Sequence, residues 1–255
     1  MADNTVYLIT GANRGIGLAL TTLLLTRPKT TVIATSRTLP SPSSPYSSIP
    51  IHPTSILIPI LLDDSNNSDD ISSSTLSARV LEAGISHINI VIANAGSSAG
   101  FKTIKETEID DYRQDLEVNL FGVIKLFKGV WKNLLEKTTE NKKFIVISSS
   151  VGSIDMLGKG EGELPVGGYG LSKAAINWWA QKLSAEYKSK GLLVGVIHPG
   201  WVKTAMGQGL ADAVGVKEPP LTTEESAKGI LEQIDGLTEE KTHQFLMYDG
   251  RVLPW

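Results

Sequence analysis

VYLITGANRGIG, residues 6–17, is the stretch that decides the fold class of this chain. Val6–Thr10 is apolar and rich in β-branched residues, as expected of a short buried strand. Three glycines follow within seven residues, and the apolar helical run Leu18–Leu25 comes next. A strand, a glycine-rich turn and a helix together place backbone N–H groups and a helix N-terminus where a pyrophosphate binds. The stretch therefore predicts a dinucleotide-binding turn.

The three glycines of this turn have separate tasks in such a site. Gly11 permits the tight turn, Gly15 the close approach of the cofactor, and Gly17 the close packing of helix on strand. Their spacing is Gly-x-x-x-Gly-x-Gly, which differs from the Gly-x-Gly-x-x-Gly fingerprint. An ordinary turn between a strand and a helix is the alternative.

Apolar strand-like runs alternate with helical patterns along the chain. Seven runs predict strands, at Val6–Thr10, Thr31–Thr35, Leu57–Leu62, Ile88–Ala93, Phe144–Ser148, Leu192–Ile197 and Gln244–Tyr248. Four patterns predict helices, at Gly15–Leu25, Asp110–Glu136, Tyr169–Lys190 and Thr223–Gln233. This alternation is typical of an α/β, Rossmann-type fold: a doubly wound parallel sheet, here of seven strands, with helices on both faces. We expect one domain over residues 1–255, with 1–150 mainly binding the cofactor and 151–255 mainly carrying catalysis and substrate binding.

Three stretches interrupt the alternation. Ser36–Ser55 is rich in Ser and Pro, so any helix there should be short or absent. Leu157–Gly168 holds five glycines and one proline, which predicts a loop. Trp201–Thr222 follows the sixth predicted strand. Because ligands bind at the carboxyl ends of parallel strands, the last two stretches are candidate walls of a substrate pocket, with plain surface loops as the alternative.

The composition excludes several classes of protein. A chain of 255 residues with 41% hydrophobic and 20% charged residues suffices for a sizeable core. A net charge of −3 without any Lys/Arg cluster gives no case for a nucleic-acid partner. There is no cysteine, and the 4 histidines lack metal-ligand spacing, so no metal is expected. We find no signal-peptide pattern and no apolar run near the ~18 residues of a membrane span, which predicts a cytoplasmic protein without membrane association.

Tyr169 and Lys173 lie four residues apart in Tyr-Gly-Leu-Ser-Lys, downstream of the serine run Ser148–Ser150. Residues at i and i+4 share one helix face. A lysine beside a phenol favours the phenolate and lowers a pKa that is normally about 10. Such a phenol can act as an acid or a base at neutral pH. Because Tyr-x-x-x-Lys is common by itself, a surface pair on a helix is the alternative.

Six motifs together carry a resemblance to one family. They are Thr10-Gly11-x-x-x-Gly15-x-Gly17, Asn94-Ala95-Gly96, Asn119, Ser149, Tyr169-x-x-x-Lys173 and Pro199-Gly200. Their order and spacing resemble those of the short-chain dehydrogenases/reductases, and the resemblance runs from Val6 to Trp255. Within the family the chain is similar to single-domain carbonyl reductases, including fungal polyketide-pathway ketoreductases of the norsolorinic acid ketoreductase type. The clues for this narrower match are Thr26–Lys29 and the ending Asp249–Trp255.

The resemblance implies four catalytic residues: Asn119, Ser149, Tyr169 and Lys173. Tyr169 would donate a proton, and Lys173 would tune it and bind the nicotinamide ribose. The Ser149 hydroxyl would donate to the carbonyl oxygen, with Ser148 and Ser150 as alternatives. Asn119 would hold a water that relays protons toward the lysine, and a structural polar contact is the alternative.

The cofactor is predicted from charge. Use of NAD usually requires an acidic residue after the second strand, where this chain has Thr35-Ser36-Arg37. Arg14 adds a second cation in the glycine turn, and two arginines suit a 2′-phosphate. NADPH/NADP+ is therefore the predicted cofactor. Asp63 matches the acidic position that accepts from the adenine amino group, with Asp64 as the alternative.

The segment from Pro199 to Thr204 resembles the family's stretch below the nicotinamide, where the Val202 backbone and the Thr204 hydroxyl would hold the carboxamide. The residues predicted to bind the cofactor are Gly11, Asn13, Arg14, Gly15, Ile16, Gly17, Ser36, Arg37, Asp63, Asn94, Ala95, Gly96, Tyr169, Lys173, Pro199, Gly200, Val202 and Thr204. Those predicted to contact the substrate are Ser149, Tyr169, Trp201 and Met206. His198 is expected to pack rather than to react.

These residues predict an oxidoreductase that reduces a ketone or aldehyde to an alcohol with NADPH. Neither candidate pocket loop contains an arginine, which favours a bulky hydrophobic or aromatic, secondary-metabolite-like carbonyl over an anion. The alternatives are an NADPH-binding sensor or scaffold without turnover and an NAD-dependent epimerase or dehydratase. Trp178-Trp179 on the predicted Tyr169 helix is either core or interface. Family members often pair through this helix, which predicts a homo-oligomer, either a dimer or a tetramer.

Overall fold

All strands of the computed structural model, which describes residues 4–37, 44–62, 73–138 and 142–255, belong to one sheet. Among these residues the strands are β1 (Thr5–Thr10), β2 (Thr30–Ser36), β3 (Ile56–Leu61), β4 (Ile90–Ala93), β5 (Lys143–Ile147), β6 (Leu193–His198), β7 (Phe245–Met247) and β8 (Val252–Leu253). Their order in the sheet is β3-β2-β1-β4-β5-β6-β7-β8, and all pairs are parallel except β7 with β8. The predicted doubly wound parallel sheet is confirmed.

The prediction of seven strands was one strand short. The eighth, Val252–Leu253, returns antiparallel to β7 after a tight turn in which Gly250 has φ +87°. The backbone N–H of Met247 donates to the carbonyl of Arg251 at 2.8 Å and closes this turn. A strand of two residues is too short to show an alternating pattern, so the sequence carried no signal for it.

Helices cover both faces of the sheet. In the described ranges they are α1 (Gly15–Leu25), α2 (Ser73–Glu82), α3 (Ile109–Leu116), α4 (Gly122–Val130), α5 (Ile154–Leu157), α6 (Gly167–Tyr187), α7 (Ala205–Ala213) and α8 (Thr223–Asp235). Two π-helical turns, Glu117–Phe121 and Trp131–Leu135, extend α3 and α4 into one helical run, as predicted for Asp110–Glu136. No helix in the described ranges combines the length and the apolar character that crossing a bilayer requires.

The stretches predicted as loops contain some helix. Trp201–Thr222 contains α7, which was not predicted because Gly207 and Gly209 lower its helix propensity. Leu157–Gly168 starts at the end of α5 and ends in the first turn of α6, with a 3₁₀ turn at Glu161–Glu163 between them. In the described part of Ser36–Ser55 the helical structure is one short 3₁₀ turn, as expected. Helix α2 was also missing from the predicted set.

Alternating strand residues feed two apolar cores. In β1, Val6 and Leu8 belong to the core under α2, α4 and α6, whereas Tyr7 and Ile9 belong to the core under α1 and α8. Both faces of the sheet are thus buried, which explains why the strands read as continuous apolar runs. Since β1 and β4 are neighbours and the chain winds outward from both, their carboxyl ends flank the topological switch point, where ligands bind in such folds.

Candidate active site

The glycine turn after β1 is as tight as the sequence predicts. Gly11 has φ +63°, and a Cβ on it would lie 3.1 Å from the Cα of Ala95. A Cβ on Gly17 would lie 2.3 Å from the carbonyl oxygen of Gly11, so any side chain there would separate α1 from the turn. Gly15 has φ +55° and faces Thr204, whose Cγ2 would be 3.3 Å from an added Cβ. The cradle therefore excludes side chains at three points and leaves the N-terminus of α1 accessible.

Asn94 joins the carboxyl ends of β1 and β4. Its side-chain amide donates to the carbonyl of Thr10 at 2.9 Å and to that of Gly11 at 3.3 Å. The Thr10 hydroxyl accepts from the backbone N–H groups of Asn94 at 3.1 Å and Ala95 at 3.0 Å. This reciprocal arrangement holds the Asn94–Gly96 backbone beside the glycine turn.

Asn119 is buried in the π-helical turn after α3, behind Gly96. Its Oδ1 accepts from the backbone N–H of Ser97 at 3.0 Å, and its Nδ2 donates to the Ser97 carbonyl at 2.9 Å. The same Nδ2 donates to the Ser172 hydroxyl at 2.9 Å, and that hydroxyl donates to the carbonyl of Tyr169 at 2.7 Å. Asn119 thus connects the segment after β4 to α6. These contacts are structural, and the water relay implied by the family resemblance stays a prediction.

Lys173 lies one turn after Tyr169 on α6 and is 5% exposed. Its ammonium donates to the carbonyl of Ile147, at the end of β5, at 3.0 Å and lies 5.5 Å from the centre of the Tyr169 ring. Burial lowers the pKa of Lys173 to about 8, although the negative charge of Asp115 raises it. The structure thus brings the predicted tyrosine and lysine together at the carboxyl end of β5.

Burial dominates the pKa of Tyr169, and the expected lowering of this pKa by Lys173 stays a prediction. Burial raises the pKa of Tyr169 to about 12, the hydrogen bond with Ser149 acts in the opposite direction, and the charge of Asp115 raises it further. The reason is that phenol and ammonium are both removed from water, which disfavours the charged form of each. Tyr169 therefore keeps its proton at neutral pH.

The three consecutive serines after β5 have different partners. The Ser148 hydroxyl is buried and donates to Oδ1 of Asn177 at 2.5 Å. The Ser150 side chain lies in the cavity wall and lowers the pKa of Glu161. Ser149 lines the same cavity and is the serine whose side chain lowers the pKa of Tyr169. Of the three alternatives left open by the sequence, Ser149 has the position that a catalytic serine needs.

A cavity of about 1960 Å³ joins the glycine turn to this cluster. Predicted residues in its wall are Gly11, Asn13, Arg14, Gly15, Ile16, Ser36, Arg37, Asn94, Ala95, Gly96, Ser149, Tyr169, Lys173, Pro199, Gly200, Trp201, Val202, Thr204 and Met206. Gly17 and Asn119 lie behind the wall, under Gly11 and Gly96 respectively. Asp63 and Asp64 lie outside the described residues.

Comparison with known proteins agrees with this geometry. A family model described as short chain dehydrogenase matches residues 5–215. This chain belongs to the short-chain dehydrogenase family. It is 36% identical to the norsolorinic acid ketoreductase of Dothistroma septosporum, an alignment that covers 100% of this chain and 94% of the relative. It is 31% identical to the norsolorinic acid ketoreductase of Aspergillus parasiticus, covering 99% of this chain and 92% of the relative.

The solved structure of an NADPH-bound carbonyl reductase from chicken fatty liver is also similar, with a TM-score of 0.81, 30% identity and 99% of both chains covered. The resemblance to carbonyl reductases and fungal ketoreductases inferred from the sequence is confirmed. As a short-chain dehydrogenase, the chain is an oxidoreductase, and its four motif residues Asn119, Ser149, Tyr169 and Lys173 occupy one connected cluster.

The segment after β6 closes one side of the cavity of this short-chain dehydrogenase. Gly200 has φ +83°, and an added Cβ would lie 2.8 Å from Leu221. Thr204 caps α7, because its hydroxyl accepts from the backbone N–H of Gly207 at 3.0 Å. The indole N–H of Trp201 donates to the Gly207 carbonyl at 3.0 Å, which satisfies its polar atom within the segment. Apolar side chains from this and neighbouring segments line the cavity: Phe101, Leu164, Val166, Trp201, Met206 and Leu210.

Sequence reasoning assigned no chemistry to several ionisable residues in the cavity wall, among them Glu161, His198 and Arg251. Burial raises the pKa of Glu161, whose Oε2 is buried without a hydrogen-bond partner among the described residues. His198 accepts from the Ser150 N–H at 3.2 Å, and burial lowers its pKa to about 4, so the expected packing role suits it. Arg251 pairs with Asp249 at 2.8 Å. No local motif marks these residues, because they meet only after folding.

Proposed function

We propose that this short-chain dehydrogenase reduces a ketone or aldehyde to an alcohol with NADPH. The observation that carries the proposal is that Ser149, Tyr169 and the buried Lys173 line the cavity that also contains the glycine turn, with the Lys173 ammonium 5.5 Å from the centre of the Tyr169 ring. A phenol, a hydroxyl and an ammonium so arranged can supply a proton, orient an oxygen and bind ribose hydroxyls. NADPH, when bound, supplies the hydride to the carbonyl carbon.

Each residue then has one task in the reduction. Tyr169 donates its proton to the carbonyl oxygen, which is consistent with a pKa of about 12 that keeps the phenol protonated. Ser149 donates a hydrogen bond to the same oxygen as it gains negative charge, and thereby orients the carbonyl. Lys173, held by the Ile147 carbonyl, stays beside the phenol and stabilises the phenolate that remains.

The preference for NADPH rests on two cations near the end of β2. Arg14 precedes α1, Arg37 follows β2, and both line the cavity. Ser36 also lines the cavity, and the described residues directly after β2 contribute no carboxylate to the wall that would bind a 2′-hydroxyl. Bidentate contacts from guanidinium groups suit a 2′-phosphate. The NADPH-bound carbonyl reductase among the similar structures supports the same choice.

The substrate class follows from the wall of the cavity and from the relatives. Trp201, Met206, Leu210 and Phe101 give this part of the cavity an apolar surface. Two of the relatives are norsolorinic acid ketoreductases by name, which supports a bulky aromatic ketone as substrate. We place the protein in the cytoplasm and in secondary metabolism on the same grounds; both assignments stay predictions.

Replacing Tyr169 with Phe tests the proposal, because it removes the proton donor and keeps the ring. We expect a loss of about 1,000-fold or more in kcat, since general acid catalysis contributes up to about 10⁴-fold. The Kd of NADPH, measured by fluorescence, should change little. NADPH oxidation is followed for the wild type and Tyr169→Phe with a bulky aromatic ketone and a small aliphatic aldehyde, and the wild type should prefer the ketone.

Three outcomes would contradict parts of the proposal. Wild-type activity in Tyr169→Phe would refute the role of the phenol. NADPH binding without oxidation by either carbonyl in the wild type would indicate a sensor or scaffold instead of an enzyme. Preference for the small aldehyde would refute the substrate class and leave the reductase function standing.

A homo-oligomer is part of the proposal. Trp178 on α6 is 69% exposed, and Leu171 on the same helix and Phe121 beside α4 are also exposed. Apolar side chains of this size on two neighbouring helices suit an interface between copies of the chain. Sedimentation of the wild type and of Trp178→Glu would measure the oligomeric state.

A further inference from the structure

Asp115 is a buried carboxylate that the catalytic scheme does not use. It lies in the last turn of α3, four residues before Asn119, and is 1% exposed. Because residues at i and i+4 share one helix face, Asp115 and Asn119 face the same neighbours. A carboxylate so buried is uncommon unless it is paired or hydrogen-bonded.

One neighbour is the segment that follows the Asn94–Gly96 motif. The backbone N–H of Ala99 donates to Oδ1 of Asp115 at 2.8 Å. One turn further along the helical run, Asn119 binds both the N–H and the carbonyl of Ser97. Asn119 and Asp115 therefore bind the same short backbone segment at two points, Ser97 and Ala99. A Cβ on Gly96 would lie 3.7 Å from the Lys173 ammonium, so this backbone lies directly over the catalytic lysine.

The other neighbour is the first turn of α6. A Cβ on Gly168 would lie 2.8 Å from Oδ2 of Asp115, which leaves no room for a side chain at this position. Gly168 immediately precedes Tyr169, so the carboxylate touches the turn that carries the proton donor. The N-terminus of a helix also favours a negative charge. Asp115 thus contacts both sides of the catalytic cluster.

The charged and titratable groups around Asp115 come from two helices. Burial raises the pKa of Asp115, the N–H of Ala99 lowers it, Asp111 raises it and Lys173 lowers it. Asp111 is itself paired with Lys102, at 2.7 Å between Nζ and Oδ2. Asp115 in turn raises the pKa of Lys173, although burial lowers that pKa by more. Asp115 also raises the pKa of Tyr169, in the same direction as burial.

We propose that Asp115 is a positioning residue that holds residues 97–99 against the first turn of α6, the helix that carries Tyr169 and Lys173, and that places a negative charge at this turn. The proposal rests on the proposed carbonyl reduction, in which Tyr169 must start as an acid. An anion placed here opposes premature ionisation of the phenol and stabilises the protonated form of Lys173 beside it. Geometry and charge come from the same carboxylate, and they can be tested separately.

The charge is tested with Asp115→Asn, which keeps an oxygen for the Ala99 N–H and removes the charge. We expect the alkaline limb of the kcat profile for reduction to move to lower pH by about half a unit or more, because the phenol loses its proton more easily. The matched control is Asp111→Asn, one turn earlier on α3, which should leave this limb in place. An unchanged limb in Asp115→Asn would overturn the role of the charge.

The geometry is tested with Gly168→Ala, alone and combined with Asp115→Ala. The added Cβ should displace the first turn of α6 and lower kcat about tenfold or more. It should also lower the Tm and raise the Kd of NADPH. Because Asp115→Ala removes the atom that clashes, the double variant should recover part of the Tm and of the NADPH affinity lost in Gly168→Ala. Strictly additive losses would overturn the contact.

These readouts separate the inference from the function on which it rests. If the wild type reduced no carbonyl, the proposed function would fail, and the pH profile could not be measured. The Tm and the Kd of NADPH would still show whether residues 115 and 168 are coupled. Recovery in the double variant without any turnover would therefore support the positioning role and refute the reductase.

Discussion

We expect two arginines to determine how the cavity distinguishes NADPH from NADH. Arg14 and Arg37 are exposed side chains that line the cavity at the start of α1 and the end of β2. The phosphate group that separates NADPH from NADH would be bound by these side chains, since the neighbouring backbone groups bind parts that both cofactors share.

Arg37→Ala, and more strongly Arg14→Ala/Arg37→Ala, should raise the KM for NADPH by about tenfold per arginine, which corresponds to about 1.4 kcal/mol each. The KM for NADH should change less than about threefold. Steady-state kinetics with both cofactors measure the ratio. Arg113→Ala is the control, because Arg113 is exposed and pairs with Asp110 outside the cavity. Equal effects on NADPH and NADH would show that these arginines do not contact the 2′ position.

Helix α7 contains two glycines and is capped by one side chain, that of Thr204. Gly207 and Gly209 disfavour the helix by about 1 kcal/mol each relative to alanine. Neither can be replaced, since an added Cβ would lie 2.0 Å from the Val202 carbonyl oxygen and 2.8 Å from the Phe101 ring respectively. The Thr204 hydroxyl caps the helix and lies in the predicted carboxamide segment. Because Thr204 both caps α7 and lines the cavity, loss of the cap would disorder a helix that begins at the cavity wall.

Thr204→Ala should destabilise α7 by about 1 kcal/mol, the usual cost of losing an N-cap. Hydrogen exchange at the amides of Ala205–Ala213 should become about fivefold faster. Thr204→Ser keeps the hydroxyl and should exchange like the wild type. Thr222→Ala, which removes the corresponding cap of α8, should speed exchange in α8 and leave α7 unchanged. Exchange in α7 that does not respond to Thr204→Ala would show that packing alone orders this helix.

Burial of the charged Lys173 side chain lowers the free energy of unfolding of the protein at neutral pH. The pKa of Lys173 is lowered by burial to about 8, below its ordinary value of 10.5. Below pH 8 the folded and unfolded chains are both protonated at this site, and the folded chain carries the full cost of the buried charge. Between pH 8 and 10.5 the unfolded chain holds a proton that the folded chain lacks, so this residue makes stability rise with pH.

Lys173→Met should therefore be more stable than the wild type at pH 7 while losing activity. The gain in the free energy of unfolding should be about 2 kcal/mol, after the lost hydrogen bond to Ile147 is subtracted from the cost of burial. The difference should shrink as the pH rises from 8 to 10. Urea unfolding measures it, with Lys182→Met as control, since Lys182 is exposed and pairs with Glu186 on the same helix. A less stable Lys173→Met at pH 7 would contradict the sign.

The sequence by itself determined the fold class and the order of the catalytic motifs. Both depend on features that are local in the chain: apolar runs of strand length, three glycines after the first of them, and Tyr-x-x-x-Lys on a helix face. The elements that the sequence did not predict, such as β8 and α7, are very short or have a weak helix propensity. A pattern of two residues, or a helix that contains two glycines, is not distinguishable from a loop before it packs.

Only the tertiary structure decided which side chains surround the reacting groups and how burial changes their charge. Ser149, and not Ser148 or Ser150, acts on the pKa of Tyr169, because the Ser148 hydroxyl donates to Asn177 and the Ser150 side chain acts on Glu161. Asp115 reaches Gly168 across 53 positions of the chain, and no spacing rule connects such residues. Burial raises the pKa of Tyr169, and this desolvation depends on the packing of the whole domain rather than on neighbours in the helix.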